Sequence, residues 1–240
     1  MKSLKAASLS LIAICVAGSS MAQTFTGGTF GYYHIEASLD DHGYDYQTQV
    51  TGQVTYAFSN VFSTQIDASL VTYQGYDSDI NLGIHGVYAL SDNVDAGAFF
   101  SRHNGNGKPR FNTYGVEIGY QKNGFDAEAH YIFEDHITSS ATYSGVGGQV
   151  GYTFEIPNSF INSIEFYIGG HQKYYLGEFL STNSLFAGLT VGIGESLALS
   201  FEASSVDSGQ YDYFSTALTY SFGNGARFGA RDFASVFPGY

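Results

Sequence analysis

The stretch Tyr46–Phe58, with the sequence YQTQVTGQVTYAF, alternates between apolar and polar side chains. One face would carry Tyr46, Val50, Val54, Tyr56 and Phe58, and the other Gln47, Gln49, Thr51, Gln53 and Thr55. Successive side chains of a β-strand point to opposite faces, so the stretch predicts a strand with one apolar and one polar face. A helix would repeat its apolar residues every three to four positions, and this spacing is not found convincingly in the chain.

The next stretch, Phe62–Thr72, alternates in the same way, and a three-residue turn over 59–61 aligns its faces with those of the first strand. The same turn length fits two further hairpins, and Asn123-Gly124 is a two-residue hairpin signal. Because a one-residue slip would exchange the two faces of a strand, these turns predict a definite register. The predicted cross-strand pairs are Phe58 with Phe62, Gln53 with Asp67, Leu90 with Val94, Tyr120 with Ala127, Glu117 with His130, and Ile193 with Leu197.

Twelve alternating runs are found after Gly27, and short turns alternate with longer polar or glycine-rich links. This order predicts an all-β, up-and-down antiparallel sheet of twelve strands, or of ten if two weak runs are not strands. The runs are Gly31–Leu39, Tyr46–Phe58, Phe62–Thr72, Ile80–Leu90, Val94–His103, Asn112–Gln121, Phe125–Glu134, Ser144–Phe154, Ile164–His171, Ser184–Ile193, Leu197–Ser204 and Tyr213–Phe222.

The N-terminus has the layout of a secretory signal: Lys2 and Lys5, an apolar run over 9–17, and small residues up to Ala22. The apolar run is shorter than the roughly 20 residues of a membrane-spanning helix, so we expect cleavage after Ala22. Residues 1–22 are then a signal peptide, 23–222 a barrel and 223–240 a C-terminal extension. Cleavage removes the single cysteine, Cys15, so we expect no disulfide and no thiolate site in the mature chain.

The chain is acidic, with a formal net charge of −13 that becomes more negative by two when Lys2 and Lys5 are removed. Nucleic acid is therefore excluded as an expected partner, because its phosphates repel such a chain. Only 13% of the residues are charged, whereas Gly (30), Tyr (20) and Phe (20) are abundant. These values favour a β protein that does not meet water over its whole outer face.

The apolar faces of the predicted strands carry one formal charge, Arg102, and the polar faces carry Gln, Ser, Thr, Gly and acids but no Lys or Arg. A soluble β-sandwich would present many Lys, Glu and Arg on its outer surface. Apolar-face aromatics also gather toward both ends of the strands, as in the two interfacial belts of a membrane barrel, although a strand preference of aromatics would explain their number. Because lipid cannot solvate open strand edges, we expect a closed transmembrane barrel. The belt residues are Tyr56, Phe58, Phe62, Tyr88, Tyr120, Phe125, Tyr152, Phe154, Tyr220 and Phe222 by the short turns, and Tyr33, Tyr46, Phe100, Tyr114, Tyr131 and Phe133 by the long links.

The last run, Tyr213–Phe222, resembles the closing strand of bacterial outer-membrane barrels, and the whole pattern is similar to small porin-like proteins of Gram-negative bacteria. The resemblance implies an outer-membrane location, contact with lipid and lipopolysaccharide, and recognition of Phe214, Leu218, Tyr220 and Phe222 by the barrel assembly machinery. Such proteins usually end at the terminal aromatic, whereas 18 residues follow here, with Arg227, Arg231, Phe233 and Phe237 among them. We expect this extension in the periplasm; entry into the barrel is the alternative.

The polar faces carry acids that need water or mobile cations around them, because isolated buried carboxylates are too costly. They are Glu36, Asp67, Asp95, Glu117, Asp126, Glu128, Glu134, Glu165 and Glu202. Acid-lined pores favour cations, so we predict a narrow passive channel for small hydrophilic or cationic solutes, narrowed by inward Tyr32, Phe99, Ile132 and Phe186. The alternative is a closed structural or adhesive barrel whose acids are protonated or hydrogen-bonded within a filled core.

Four histidines are predicted to face inward: His34, His85, His130 and His171. A His–Glu pair across strands stabilises a barrel without a metal, so no metal site and no cofactor are expected. A second alternative is a lipid- or peptide-modifying enzyme with a site at the rim. Its candidates are His42, His103 and His136 with Asp40, Asp41, Asp45 and Asp135. No activated nucleophile is recognised among them, so we expect no enzymatic activity.

Overall fold

The computed structural model describes residues 24–39, 43–73, 78–104, 110–137, 142–175, 181–207 and 211–229. The predicted signal peptide and residues 230–240 lie outside this part. The strands are β1 Thr24–Leu39, β2 Gly43–Ala57, β3 Phe62–Tyr73, β4 Asp79–Ser91, β5 Val94–Asn104, β6 Phe111–Lys122, β7 Phe125–His136, β8 Thr142–Glu155, β9 Ile161–Tyr175, β10 Ser181–Ile193, β11 Leu197–Val206 and β12 Tyr211–Gly223. In the described ranges, no helix is long and apolar enough to cross a membrane.

Each strand pairs antiparallel with the next one in the sequence, and β1 pairs with β12 to close the barrel. The prediction of a closed, up-and-down barrel of twelve strands is therefore confirmed. Closure leaves no strand edge without a hydrogen-bonding partner, which is the requirement that the apolar outer faces impose.

Connections of two kinds define the two ends of the barrel. The short-turn end holds the turns at 58–61, 92–93, 123–124, 156–160 and 194–196, and the long-loop end holds the other connections. Most predicted pairs are found in the structure, including Gln53 opposite Asp67 and Glu117 opposite His130. The prediction for Leu90 and Val94 is wrong, because a register shift there places Ser91 opposite Val94. The pairs from Ala89 with Asp95 onward keep the predicted register, and the extra residue of the bulge changes only the pair next to the turn.

The distribution of side chains is the inverse of that in a soluble protein. Large apolar side chains are exposed on the outside, among them Val50, Leu82, Ile84, Val116, Ile118, Ile168 and Leu185. Polar side chains are buried inside, among them Gln47, Gln49, Gln65, Asp67, Asp79, Asn81, His85, Glu117 and Glu134. The outer aromatics gather near the strand ends, with Phe58, Phe62, Tyr88, Tyr152 and Phe154 at the short-turn end and Phe100, Tyr114 and Tyr131 toward the long-loop end.

The first strand has the opposite facing from the one predicted. Tyr32 is 51% exposed and lies on the outside, opposite Val50, whereas Tyr33 lies inside, opposite the buried Gln49. The pairing of β1 on both sides decides this register, because its neighbours β2 and β12 have clear inner faces. A one-residue slip exchanges every side chain of a strand, so the predictions for Tyr32, Tyr33, His34 and Glu36 are all wrong together.

Candidate functional site: the barrel lumen

The inner wall collects most of the predicted site residues. The acids on it are Asp67, Asp95, Glu117, Asp126, Glu128, Glu134, Glu165 and Glu202, and the predicted histidines on it are His85, His130 and His171. Glu36 and His34 lie on the outer surface of β1 instead, where their side chains approach each other to 3.4 Å. Of the predicted apolar constrictions, Phe99, Ile132 and Phe186 face inward, and Tyr32 does not.

The centre of the lumen is held by a histidine between two carboxylates. His85 Nδ1 lies 2.6 Å from Glu117 Oε1, and His85 Nε2 lies 2.7 Å from Asp67 Oδ2. All three side chains are almost fully buried. Both carboxylates can accept from the ring when it carries both protons, and in that form His85 places a positive charge between the two acids. The sequence placed these residues on the inner face, but their convergence across β3, β4 and β6 depends on the barrel.

The chain turns back into the barrel after β12. Gly223 and Gly225 have φ values of 60° and 70°, in the left-handed region that glycine adopts readily. The Asn224 backbone N–H donates to Thr26 O at 2.9 Å, and the Ala226 backbone N–H donates to Thr29 Oγ1 at 3.3 Å. We call residues 224–229 the tail segment. The sequence favoured a periplasmic extension, whereas this segment follows the alternative of entering the barrel.

Phe228 of the tail segment fills the space beside the central histidine. Its ring lies 6.4 Å from the His85 ring at an interplanar angle of 13°, and the residue is 2% exposed. Gln53 Nε2 and Gln65 Nε2 donate to Phe228 O at 3.0 and 2.9 Å. The tail segment is therefore bonded to the inner wall through its backbone as well as packed against it.

Arg227 gives the acidic wall a basic partner at the short-turn end. Its Nε donates to Asp95 Oδ2, and the next acid along the wall, Glu128, accepts a bond from the Gly229 backbone N–H at 3.4 Å. Beside the tail segment, a cavity of about 630 Å³ is lined by Asp95, Glu128 and further polar groups. Phe228 was not recognised in the sequence; Gly223, Gly225 and the adjacent Arg227-Phe228 pair are the signals that could have indicated this arrangement.

A second charged cluster lies at the long-loop end. Lys173 Nζ donates to Glu134 Oε1 and Oε2 at 2.9 and 3.0 Å, and His136 Nε2 lies 2.8 Å from Glu134 Oε1. Lys173 also lies over the Tyr143 ring, 4.5 Å from its centroid. The expectation of strands without Lys or Arg was wrong here, because β9 extends to Tyr175 and includes Lys173.

The rim histidines that were considered for catalysis, His103 and His136, pack against residues of the barrel wall. His103 Nε2 lies 3.4 Å from Asp79 Oδ2, and Phe111 stacks between the rings of His103 (4.6 Å) and His136 (5.4 Å). Asp135 accepts a hydrogen bond from Tyr114 at 3.1 Å. Asp40, Asp41, His42 and the side chain of Asp45 lie outside the described part. Within the described ranges, no three His, Cys, Asp or Glu side chains are arranged to hold a metal ion.

The sequence matches no known family profile and no curated protein. Solved structures do match. The structure titled "KdgM porin" is 12% identical, covers 81% of this chain and 99% of its own, and has a TM-score of 0.57. The structure titled "NanC porin structure in rhombohedral crystal form" is 10% identical, covers 80% of this chain and 98% of its own, and has a TM-score of 0.59. The likeness shows that this chain has a porin-like β-barrel fold.

Proposed function

We propose that this protein is an outer-membrane channel that lets small hydrophilic solutes, preferably cations, diffuse passively. The outer surface supports a membrane location, because exposed Leu, Ile and Val lie between two groups of aromatic residues. In such barrels the short turns face the periplasm, so the short-turn end and the tail segment would lie on that side.

Export and assembly follow from the same proposal. The signal would be cleaved after Ala22, and the outward Phe214, Leu218 and Tyr220 of β12, with Phe222, would be recognised by the barrel assembly machinery. Outer-membrane lipid and lipopolysaccharide would contact the apolar surface. We propose no enzymatic role, because the rim histidines already contact carboxylates of the wall: His103 Nε2 lies 3.4 Å from Asp79 Oδ2, and His136 Nε2 lies 2.8 Å from Glu134 Oε1.

The observation that carries the proposal is the inverted polarity of the barrel, with a negative inner wall. Asp126, Glu128 and Glu165 line the cavity near the short-turn end, where Arg227 is the basic residue among the cavity-lining groups. A negative wall concentrates cations and repels anions. One neighbour is titled "KdgM porin in complex with disordered oligogalacturonate", a polyanion; the acidic wall of the present chain favours solutes of the opposite charge.

The test is conductance of the refolded protein in a planar bilayer with a KCl gradient. We expect discrete steps and a reversal potential that indicates preference for K⁺ over Cl⁻. Asp126→Asn and Glu165→Gln should move the reversal potential toward zero, because they remove charge from the inner wall. Glu36→Gln is the matched control, because Glu36 lies outside and its loss should leave selectivity unchanged.

A closed structural barrel is the second candidate, and the tail segment favours it because Phe228 occupies the lumen. A refolded barrel that gives no steps in any variant would support this candidate and exclude the channel. Steps with a preference for anions would exclude the proposed cation path.

A further inference from the structure

The tail segment is bound by the inner wall in the way that a protein binds a peptide. The fully buried Gln65 uses both ends of its amide: its Oε1 accepts from the Arg227 and Phe228 backbone N–H groups at 2.9 and 3.1 Å, and its Nε2 donates to Phe228 O. Gln53 adds a second donor to that oxygen. These bonds are made to backbone atoms only, so they hold the bend at Arg227 and Phe228 whatever side chains the segment carries.

The wall also contains a place for the aromatic side chain of the segment. Phe228 packs against His85, and Gly97 and Gly119 lie beneath its ring. A Cβ atom at Gly97 would lie 3.1 Å from Phe228 Cε2, and a Cβ atom at Gly119 would lie 3.1 Å from Phe228 Cε1. Because glycine has no side chain, Gly97 of β5 and Gly119 of β6 leave room for one flat ring.

The wall also carries a negative charge beside this ring, which favours a basic residue in the segment. Asp95 pairs with the Arg227 guanidinium, and a Cβ atom at Gly119 would lie 3.2 Å from Arg227 Nη2. A carboxylate next to an aromatic pocket matches a basic residue followed by an aromatic residue in a peptide that is bent at these two positions.

We propose that the lumen contains a binding site for a bent arginine-aromatic peptide segment, and that Arg227-Phe228 of the same chain occupies it as a displaceable plug. The inference rests on the proposed channel for its effect on conductance. The plug narrows the path at the short-turn end, and its release opens that path to solutes.

The test compares unit conductance of the full-length protein with that of Phe228→Ala and Arg227→Ala in planar bilayers. Both variants are expected to show a several-fold larger conductance or longer open times, because each removes one contact of the plug. Phe154→Ala is the matched control, since Phe154 is an exposed aromatic on the outside near the same end. Its conductance should equal that of the parent protein.

The peptide Gly-Ala-Arg-Phe-Gly, which is the sequence of residues 225–229, should then block Phe228→Ala from the short-turn side. The same peptide with alanine in place of arginine should block more weakly, as should the first peptide on a Gln65→Ala, Phe228→Ala double variant. Two results would overturn the binding site while leaving the channel in place. One is a conductance of Phe228→Ala equal to that of the parent protein, and the other is equal block by the arginine peptide and its alanine version.

A cysteine pair tests the position of the plug without relying on conductance. Thr29→Cys with Ala226→Cys should form a disulfide on oxidation, because the Ala226 backbone nitrogen lies 3.3 Å from Thr29 Oγ1. The chain has one natural cysteine, Cys15, within the predicted signal. Failure of both oxidation and a short thiol-reactive cross-linker to join the two cysteines would overturn the plug. If the disulfide forms and no variant conducts, the channel fails and the plug is overturned as a regulator of conductance.

Discussion

At the level of single residues, two groups of buried acids in the lumen each contain a basic partner. His85 lies between Asp67 and Glu117, and Glu134 lies between His136 and Lys173. A buried ion pair contributes little net stability against an apolar replacement, but removing one member leaves an uncompensated charge. These two groups of acids are therefore tolerated in the wall because each contains a hydrogen-bond donor.

Removing the central imidazole should destabilise the barrel strongly. We expect His85→Ala to lower the free energy of unfolding by about 3–5 kcal/mol, because two buried carboxylates lose their common partner. Urea unfolding of the refolded protein in detergent micelles measures this change.

The control for that variant removes the two carboxylate charges that the loss of His85 leaves without their common partner. Adding Asp67→Asn and Glu117→Gln to His85→Ala should recover part of the lost stability, because neither amide carries a charge. If the triple variant is less stable than His85→Ala, the charges of Asp67 and Glu117 are not the source of the loss.

At the scale of strands and turns, hairpin chemistry fixes local register. Asn123 and Gly124 have φ values of 53° and 81°, which is the type I′ turn that the dipeptide predicts. β6 and β7 accordingly pair from Lys122 with Phe125 onward without a register shift. Local sequence is sufficient for this hairpin because two residues determine the turn.

Gly124→Ala should therefore lower the free energy of unfolding by about 1–2 kcal/mol, since an L-residue pays to adopt a positive φ. Chemical denaturation measures the loss. Asn123→Gly keeps the turn conformation accessible and should change stability by less than about 0.5 kcal/mol. An equal loss in both variants would argue against the type I′ turn.

The first strand shows where local pattern misleads. In its sequence, His34 and Glu36 alternate with Tyr33 and Ile35. This alternation predicts that His34 and Glu36 face inward, yet the pairing of β1 with β2 and β12 places both of them on the outside. The exposed His34 and Glu36 lie toward the long-loop end of the strand, where they can pair with each other.

Spin labels at single cysteines test this facing in lipid vesicles. A label at Tyr32→Cys should collide with dissolved oxygen more than with a water-soluble nickel complex, because position 32 faces the bilayer in the proposed channel. A label at Gln49→Cys, on the inner face, should show the reverse preference. Greater nickel accessibility at position 32 than at position 49 would contradict the register of β1.

At the level of the whole molecule, the outer surface of the barrel is covered by exposed apolar side chains. Ile84 lies in the middle of β4 and Leu90 near its short-turn end, and both are exposed. In a bilayer the environment of these two positions differs only in depth, so the pair can distinguish a lipid environment from water.

We expect Ile84→Arg to cost about 2–4 kcal/mol and Leu90→Arg about 0–1 kcal/mol, because the cost of a charge falls toward the membrane interface. Unfolding titrations in lipid vesicles measure both values. Equal and small costs would mean that β4 meets water along its whole length, and the membrane location would be wrong.

Local sequence patterns were sufficient to predict the all-β class, the twelve strands, the closed barrel and the inner position of the acids from Asp67 to Glu202. Alternation and turn residues are local properties, and apolar outer faces require closure, so these features need no knowledge of distant contacts. Three features became visible only in the folded barrel: the facing of β1, the contact of His85 with Asp67 and Glu117, and the entry of Arg227 and Phe228 into the lumen. Each of these depends on residues far apart in the chain that become neighbours only when the barrel closes.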